Sequence, residues 1–204
     1  MHKKFLMASV IVITLVLISS NSARAQSDTP KAEIGAQFSL LTIERVSGRV
    51  IDPGFGGRFT YNATKSIGVE AEINFFPKEH NGSSNQDGGR VTQGLFGVKV
   101  GKRFRKVGIF GKARPGFVSF GRAILNRDSR ITTFQFGRLT HVAFDLGGVL
   151  EVYPSRRAVV RFDLGDTVIR YGAQNFIDGL GRPSVNQAFT RHNLQFSAGA
   201  GFRF

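Results

Sequence analysis

The fold of this chain is decided by its last stretch, which reads Thr190-Arg191-His192-Asn193-Leu194-Gln195-Phe196-Ser197-Ala198-Gly199-Ala200-Gly201-Phe202-Arg203-Phe204. From Leu194 onward, apolar residues occupy every second position, and small or polar residues lie between them. This period of two predicts a β-strand with one apolar face. Ending such a strand on an aromatic residue is typical of a membrane barrel, because the last strand closes the cylinder and its apolar face lies against lipid.

The amino terminus predicts export. A short basic segment precedes an almost unbroken apolar run from Phe5 to Ile18. This run is shorter than a typical transmembrane helix. The small-x-small pattern of Ala23-Arg24-Ala25 follows and is typical of a cleavage site. We therefore expect residues 1–25 to be a secretory signal peptide and residues 26–204 to be one outer-membrane β-barrel domain. An uncleaved amino-terminal anchor is the alternative.

Composition narrows the class of protein further. The chain has no Cys, so no disulfide framework holds the fold. After Ala25 no apolar stretch is long enough for a transmembrane helix, which excludes a helical membrane protein. The chain has 28 basic and 14 acidic residues. In a soluble protein this excess would indicate nucleic acid, but in an exported one it indicates anionic lipid head groups or lipopolysaccharide phosphates.

Seven further segments alternate like the last one. With it, they lie at about 31–41, 54–62, 65–76, 91–101, 106–120, 141–153, 157–171 and 192–204. Two irregularities are expected. Pro115 predicts a bulge or the end of regular pairing, because proline has no N–H to donate. The phase slips at Gly165-Asp166, where a bulge would keep the carboxylate out of lipid.

The connections between these segments alternate in length. Short turns are predicted at about 62–65, 102–105 and 154–156, and long polar loops at about 43–53, 77–90, 121–140 and 172–189. Short turns on one side and long loops on the other are typical of outer-membrane barrels. We therefore predict an all-β fold, an eight-stranded antiparallel up-and-down transmembrane β-barrel.

The signal peptide, the loop rhythm and the terminal Phe202-Arg203-Phe204 together resemble the small eight-stranded outer-membrane β-barrel family of OmpA-barrel, OmpX and opacity-protein type. The resemblance implies a monomer in the outer membrane of a Gram-negative-type bacterium, in contact with membrane lipid and lipopolysaccharide. It also implies that Phe202 and Phe204 are an assembly signal, read by the barrel-assembly machinery through the C-terminal strand.

The inward face of the predicted strands carries charges of both signs. An eight-stranded barrel has room inside for side chains only, so these charges must pair. We predict a lumenal charge network centred on Glu70, Glu72, Lys112, Arg114, Asp145, Arg161 and Asp163. A structural network that fills the barrel is the main interpretation, and a narrow or gated ion path is the alternative.

The sequence offers no clear combination of a nucleophile and a base. His141 and His192 lie at predicted extracellular strand ends, and the lipid A deacylase pattern of a His followed two residues later by a Ser is not met. A pair of His192 with Ser184 or Ser197 stays open, although alternation places Ser197 on the opposite face. We therefore expect no catalytic site, no metal site, no cofactor and no nucleic-acid partner.

Arginine is frequent in the predicted long loops. Arginine binds phosphate in a bidentate manner, so Arg122, Arg127, Arg130 and Arg138 are candidates for contact with an anionic ligand. A merely solvated surface is the alternative. The sequence thus favours an integral outer-membrane barrel with a side-chain-filled lumen and a structural, adhesive or surface-interaction role. A small porin-like channel for ions or small solutes is the second hypothesis, and a lipid A-modifying outer-membrane enzyme is the third.

Overall fold

The computed structural model describes residues 30–45, 48–79, 88–126, 135–177 and 182–204. The predicted signal peptide lies outside the described residues and stays a prediction. Within the described ranges, the chain forms no helix of the length and apolarity that crossing a membrane requires.

Ten strands account for most of the described residues. They are β1 (Ala32–Arg45), β2 (Gly48–Asn62), β3 (Ile67–Phe76), β4 (Val91–Arg103), β5 (Val107–Asn126), β6 (Gln135–Val152), β7 (Ala158–Tyr171), β8 (Gln174–Ile177), β9 (Pro183–Asn186) and β10 (Phe189–Arg203). Eight of them, β1 to β7 and β10, form a closed barrel in which every neighbouring pair is antiparallel. The predicted eight-stranded barrel is confirmed.

The barrel closes where β1 meets β10. Glu33 lies opposite Arg203, and Leu41 lies opposite Gln195, in one continuous register. Below this register, Ala32 and Phe204 exchange two backbone hydrogen bonds of 2.9 Å each. The terminal alternating stretch is therefore the closing strand, as its pattern predicts.

Three of the four predicted long loops are wrong in extent. β1 continues to Arg45 and β2 begins at Gly48, so the described residues of the 43–53 loop are strand. In the 121–140 loop, β5 continues to Asn126 and β6 begins at Gln135, with irregular register above Phe120. The 172–189 loop contains the small hairpin β8–β9. Backbone pairing therefore continues beyond the point where the apolar alternation fades.

The two predicted irregularities have different outcomes. At Pro115, pairing of β5 with β4 passes from Leu95–Gly116 directly to Val98–Ala113, and the register is the same on both sides. The interruption is thus local, and the strand continues. At Asp166 the predicted bulge is wrong, because β7 keeps one register with both β6 and β10. The Asp166 carboxylate faces outward, where the side chain of His192 is its partner.

The lumen has two differently filled parts. We call the part nearest the short turns the charged layer; it consists of Glu33, Arg58, Glu70, Glu72, Lys99, Arg103, Lys112, Arg114, Asp145, Glu151, Arg161, Asp163 and Arg203. We call the part nearest the opposite strand ends the apolar layer; it consists of Leu41, Ile43, Phe76, Val91, Val118, Phe120, Ala143, Ile169 and Tyr171. Neutral polar side chains lie between the two layers: Gln37, Ser39, Asn74, Gln93, Thr167, Gln195 and Ser197.

The outer face changes in the opposite sense. Around the charged layer it exposes large apolar side chains, such as Phe59, Phe96 and Leu164. Around the apolar layer, β6, β7 and β10 expose polar side chains instead, at Arg138, Thr140, Arg170, Thr190 and His192. Ile51, Val142 and its cross-strand neighbour Phe117 are apolar exceptions at this level. The lower part therefore has the polarity of a membrane barrel, and the upper part has much of the polarity of a soluble one.

Candidate functional site

Arg161 on β7 lies at the centre of the charged layer and is fully buried. Its Nε donates to Asp163 Oδ2 at 2.7 Å, and its Nη2 donates to Asp163 Oδ1 at 2.8 Å. The same guanidinium donates across the lumen to both carboxylate oxygens of Glu70 on β3. One arginine therefore binds two carboxylates in bidentate fashion, which is the geometry that best compensates a buried charge.

A second arginine cluster lies beside the first. Arg114 on β5 donates to Asp145 Oδ2 at 2.8 Å and to Glu72 Oε2 at 2.6 Å. Lys112 Nζ lies 3.1 Å from Asp145 and 3.3 Å from Asp163, so it joins the two clusters. The structure therefore brings together all seven side chains at which the sequence centred the network.

The charged layer continues toward the short turns. Lys99 on β4 forms a close ion pair with Glu151 on β6 and lies 3.6 Å from Glu70. Below it, Glu33 on β1 accepts hydrogen bonds from Arg103 at 3.3 Å and from Arg203 at 3.2 Å. The contacts of Lys99 with Glu151 and of Arg103 with Glu33 connect strands that are not neighbours, so the layer crosses the lumen as well as following its wall.

Arg103 is the member that the sequence reading missed. The sequence placed it in a basic turn because the fourth strand was ended at Gly101, whereas β4 continues to Arg103. Its side chain lies inside the barrel, where it also donates to Tyr153 Oη at 2.8 Å. Burial, and then the nearby Glu151 carboxylate, raise the pKa of the Tyr153 hydroxyl, which therefore stays protonated and donates to Glu151 at 2.6 Å. The alternation of period two that continues from Lys99 through Gly101 to Arg103 was the signal that could have found Arg103.

Glycines on the inward face provide the space for these long side chains. A Cβ added at Gly165 would lie 3.0 Å from Asp145 Oδ1 and 3.2 Å from Lys112 Cε. A Cβ added at Gly97 would lie 2.6 Å from the Cα of Arg114. At Gly165 the charged side chains therefore leave no room for a methyl group, and at Gly97 the backbone of the neighbouring strand leaves none.

Above the charged layer, polar side chains link opposite walls of the barrel. Gln93 on β4 donates to Gln195 on β10 at 2.8 Å. Asn74 on β3 donates to Gln93 at 2.8 Å, and Thr167 donates to Gln195 at 2.8 Å. The rings of Phe120 and Tyr171 pack above them, with centroids 6.2 Å apart. Side chains therefore span the lumen at three successive levels.

One ionisable pair lies outside the lumen. His192 Nδ1 on β10 lies 2.5 Å from Asp166 Oδ2 on β7, and both side chains face outward. The structure places neither predicted nucleophile with this pair: Ser197 lies in the lumen, 2.8 Å from Ser39 Oγ, and Ser184 lies on the β8–β9 hairpin. His141 is buried instead, with its ring centroid 4.5 Å from that of Tyr171. The described residues thus give His192 an orienting carboxylate and no adjacent serine.

The predicted anionic-ligand residues are only partly described. Arg138 is exposed on the outer face of β6, where it donates to Ser119 Oγ at 3.4 Å. Arg127 and Arg130 lie outside the described residues, as does the side chain of Arg122. Other exposed cations lie at the same end of the barrel: Arg49, Lys78, Arg90, Arg170 and Arg182.

A closed eight-stranded barrel with an apolar outer band and an ion-paired lumen defines an outer-membrane β-barrel protein. The chain belongs to the outer membrane protein beta-barrel domain family, whose model matches residues 11–204. No curated protein matches the chain significantly.

Solved structures show the same fold at low sequence identity. Neisserial surface protein A (NspA) is 10% identical, with a TM-score of 0.58 over 85% of this chain and 97% of that one. The attachment invasion locus protein Ail of Yersinia pestis is 14% identical, with a TM-score of 0.53 over 86% of this chain and 99% of that one. The resemblance to small eight-stranded outer-membrane barrels is therefore confirmed, and at these identities it concerns the fold alone.

Proposed function

We propose that this protein is a non-conducting outer-membrane barrel whose extracellular end binds anionic groups at the cell surface. The filled lumen is the observation that carries the proposal. Arg161 bonds to Glu70 across it, Gln93 bonds to Gln195 above them, and the apolar layer packs higher still. A barrel filled in this way serves as a rigid support for what its outer end displays.

The cationic rim supports a surface-interaction role. Exposed arginines near the open strand ends, such as Arg138 and Arg170, project beyond the apolar outer band. Each has a hydroxyl partner, Ser119 and Thr190 respectively, which orients the guanidinium. Oriented guanidinium groups favour phosphate and sulfate ligands. Ail has been crystallised with the heparin analogue sucrose octasulfate, which is a property of that protein and suggests the probe to use here.

Conductance in planar bilayers tests the filled lumen. We expect the refolded mature chain to give no steady openings, whereas the porin-like alternative requires stable, long-lived ones. The apolar layer offers an internal control: the double variant Phe120→Gly with Tyr171→Gly removes two of its rings, so any conductance should rise first in that variant. Stable openings of the unmodified chain would contradict the proposal.

Heparin binding tests the rim. We expect cells that display the protein to retain heparin, and the variant Arg138→Gln with Arg170→Gln to retain several-fold less. The matched control, Lys65→Gln with Arg105→Gln, removes two charges from the opposite end of the barrel and should bind as the unmodified chain does. Equal binding by both double variants and the unmodified chain would refute a role for these arginines.

The lipid A-modifying enzyme remains a third candidate because His192 has an orienting carboxylate. Mass spectrometry of lipid A from cells with and without the protein tests it directly. Identical lipid A species would eliminate this candidate.

A further inference from the structure

A large cavity opens at the short-turn end of the barrel. Its volume is about 1030 Å³, and the three short turns and both ends of the barrel chain, near Pro30 and Phe204, line it. Six exposed cations form its walls: Lys31, Lys65, Arg105, Lys106, Arg156 and Arg157. We call this cavity the basic vestibule.

The floor of the vestibule is also cationic. Arg103 and Arg203 line it from the lower edge of the charged layer. Both donate to Glu33, which also lies 3.8 Å from Lys99. Glu151 lies 3.4 Å from Arg103 and forms a close ion pair with Lys99, so two carboxylates serve three cations at this edge and the positive charge of the floor is only partly compensated.

One donor at the floor has no acceptor among the described residues. The Arg103 side chain is 8% exposed, and its Nε and Nη2 donate to protein groups. Its buried Nη1 has no hydrogen-bond partner within the described part of the chain. Leaving a charged donor unpaired is unfavourable, so the Arg103 guanidinium keeps unused hydrogen-bonding capacity at the floor of the vestibule.

Among the described residues that line the vestibule there is no Asp or Glu. Cations on all sides of a concave surface concentrate anions there, because the wall of low dielectric constant focuses the field into the cavity. The volume is at the upper end of the range for small-molecule sites. It therefore suits a ligand with several negatively charged groups rather than a single small ion.

The position of the vestibule favours a soluble ligand over a lipid. Short turns of outer-membrane barrels face the periplasm. The vestibule lies at the mouth of the barrel, among the turns, whereas the apolar band that contacts lipid surrounds the outside. A lipid head group would have to leave its leaflet and bend around the rim to reach Arg103.

We propose that the basic vestibule binds a soluble periplasmic polyanion that carries phosphate groups, held by the exposed cations of its walls with Arg103 and Arg203 at its floor. Guanidinium and ammonium groups both bind phosphate, the former in bidentate fashion. This site is separate from the extracellular rim, because the two lie at opposite ends of a filled lumen.

A single indole near the site makes the binding measurable. The chain has no Trp, and Phe104 is a half-exposed residue of the vestibule rim. The variant Phe104→Trp, refolded in phosphatidylcholine nanodiscs that leave both mouths open, is titrated with inorganic tripolyphosphate. We expect a saturable fluorescence change that weakens as salt is raised. Absence of a saturable change would refute the proposal.

Charge-matched variants in the same background locate the site. Lys65→Gln, Arg105→Gln and Arg156→Gln together remove three exposed wall cations, and we expect the half-saturation concentration to rise at least about 10-fold, equivalent to about 1.4 kcal/mol. The control removes three exposed cations from the other end, Arg138→Gln, Arg170→Gln and Arg182→Gln, and should change it less than about twofold, equivalent to about 0.4 kcal/mol. Equal weakening by the two sets would mean unspecific charge attraction and would overturn the proposal.

Lipid composition distinguishes the source of the phosphate. Replacing phosphatidylcholine by phosphatidylglycerol should leave the saturation by tripolyphosphate intact, apart from a modest uniform shift. Loss of the signal in phosphatidylglycerol nanodiscs would mean that lipid head groups occupy the vestibule, which would overturn the proposal for a soluble ligand. The heparin experiment measures binding to intact cells at the extracellular rim, whereas the indole at position 104 reports binding at the vestibule, so the two proposals fail separately.

Discussion

The charged layer and the apolar layer fill the same cylinder by different physical means. In the charged layer each side chain needs particular partners: Arg161 satisfies both Glu70 and Asp163, and removal of any one leaves a buried charge. In the apolar layer, Ile169 and Phe120 contribute by contact area, which has no direction. The first kind of filling specifies which strands face each other, and the second excludes water between them.

The polarity of the outer face is opposite to that of the lumen at each level of the barrel. Apolar side chains such as Leu164 face outward where the lumen is charged, and polar ones such as Arg170 face outward where the lumen is apolar. The outward polarity of β6, β7 and β10 therefore inverts along their length, and β7 keeps one register throughout. The inversion marks where the barrel leaves the membrane, close to the level of Asp166 and His192.

The largest effect should come from the charged layer. Arg161→Met leaves Glu70 and Asp163 without their main partner, so the free energy of unfolding should fall by about 3–5 kcal/mol. Urea titration of the barrel in lipid vesicles measures it. Arg170→Met, at an exposed arginine on the same strand, should change it by no more than about 0.5 kcal/mol. Equal values for the two variants would show that the network is not structural.

A somewhat smaller effect is expected in the apolar layer. Ile169→Ala removes a fully buried side chain, which should lower the free energy of unfolding by about 2–4 kcal/mol. The same titration applies, with the outward neighbour Val168→Ala as control. If the control loses as much, the upper lumen is not a packed core.

The inversion of polarity can be located with lipid quenchers. Because the chain has no Trp, a single indole introduced on the outer face reports its own depth. In vesicles of brominated lipid, Leu164→Trp should be quenched strongly, and Thr140→Trp and Thr190→Trp only weakly. Similar quenching at all three positions would place the membrane boundary above the apolar layer.

The smallest effect is expected for the outward pair. The His192 side chain is 73% exposed and that of Asp166 is 41% exposed, so solvent screens their interaction. His192→Gln should therefore change the free energy of unfolding by less than about 1 kcal/mol. A larger loss in the urea titration would show that lipid, rather than water, surrounds the pair.

The sequence indicates the charged layer because a charge at every second position of an apolar strand can avoid lipid only by facing the lumen. Glu70, Lys112 and Arg161 each interrupt an apolar alternation, and each lies inside. The apolar layer was not predicted, because an apolar residue such as Leu41 or Ile43 looks the same whether it faces lipid or the lumen. Only the pairing of β1 with β2, which continues to Arg45, shows which way these residues point.

The strand ends were hard to predict for a related reason. Alternation defines a strand only where its two faces meet different surroundings, and above the membrane that contrast weakens. β5 and β6 therefore run to Asn126 and from Gln135 through a region that looks like a polar loop. The sequence could not indicate the partner of Asp166 either, since His192 is 26 residues away and on another strand.

The seam between β1 and β10 has a kinetic consequence. Every other seam of the barrel joins strands that follow one another, apart from the small β8–β9 hairpin, whereas the Glu33–Arg203 contact joins residues 170 positions apart. Closing so long a loop is the step with the greatest loss of chain entropy, and long-range pairing slows folding. An open, curved sheet in which the other seven strand pairs have formed should therefore precede the closed barrel. Pairing of β1 with β10 should then be the rate-limiting step of folding.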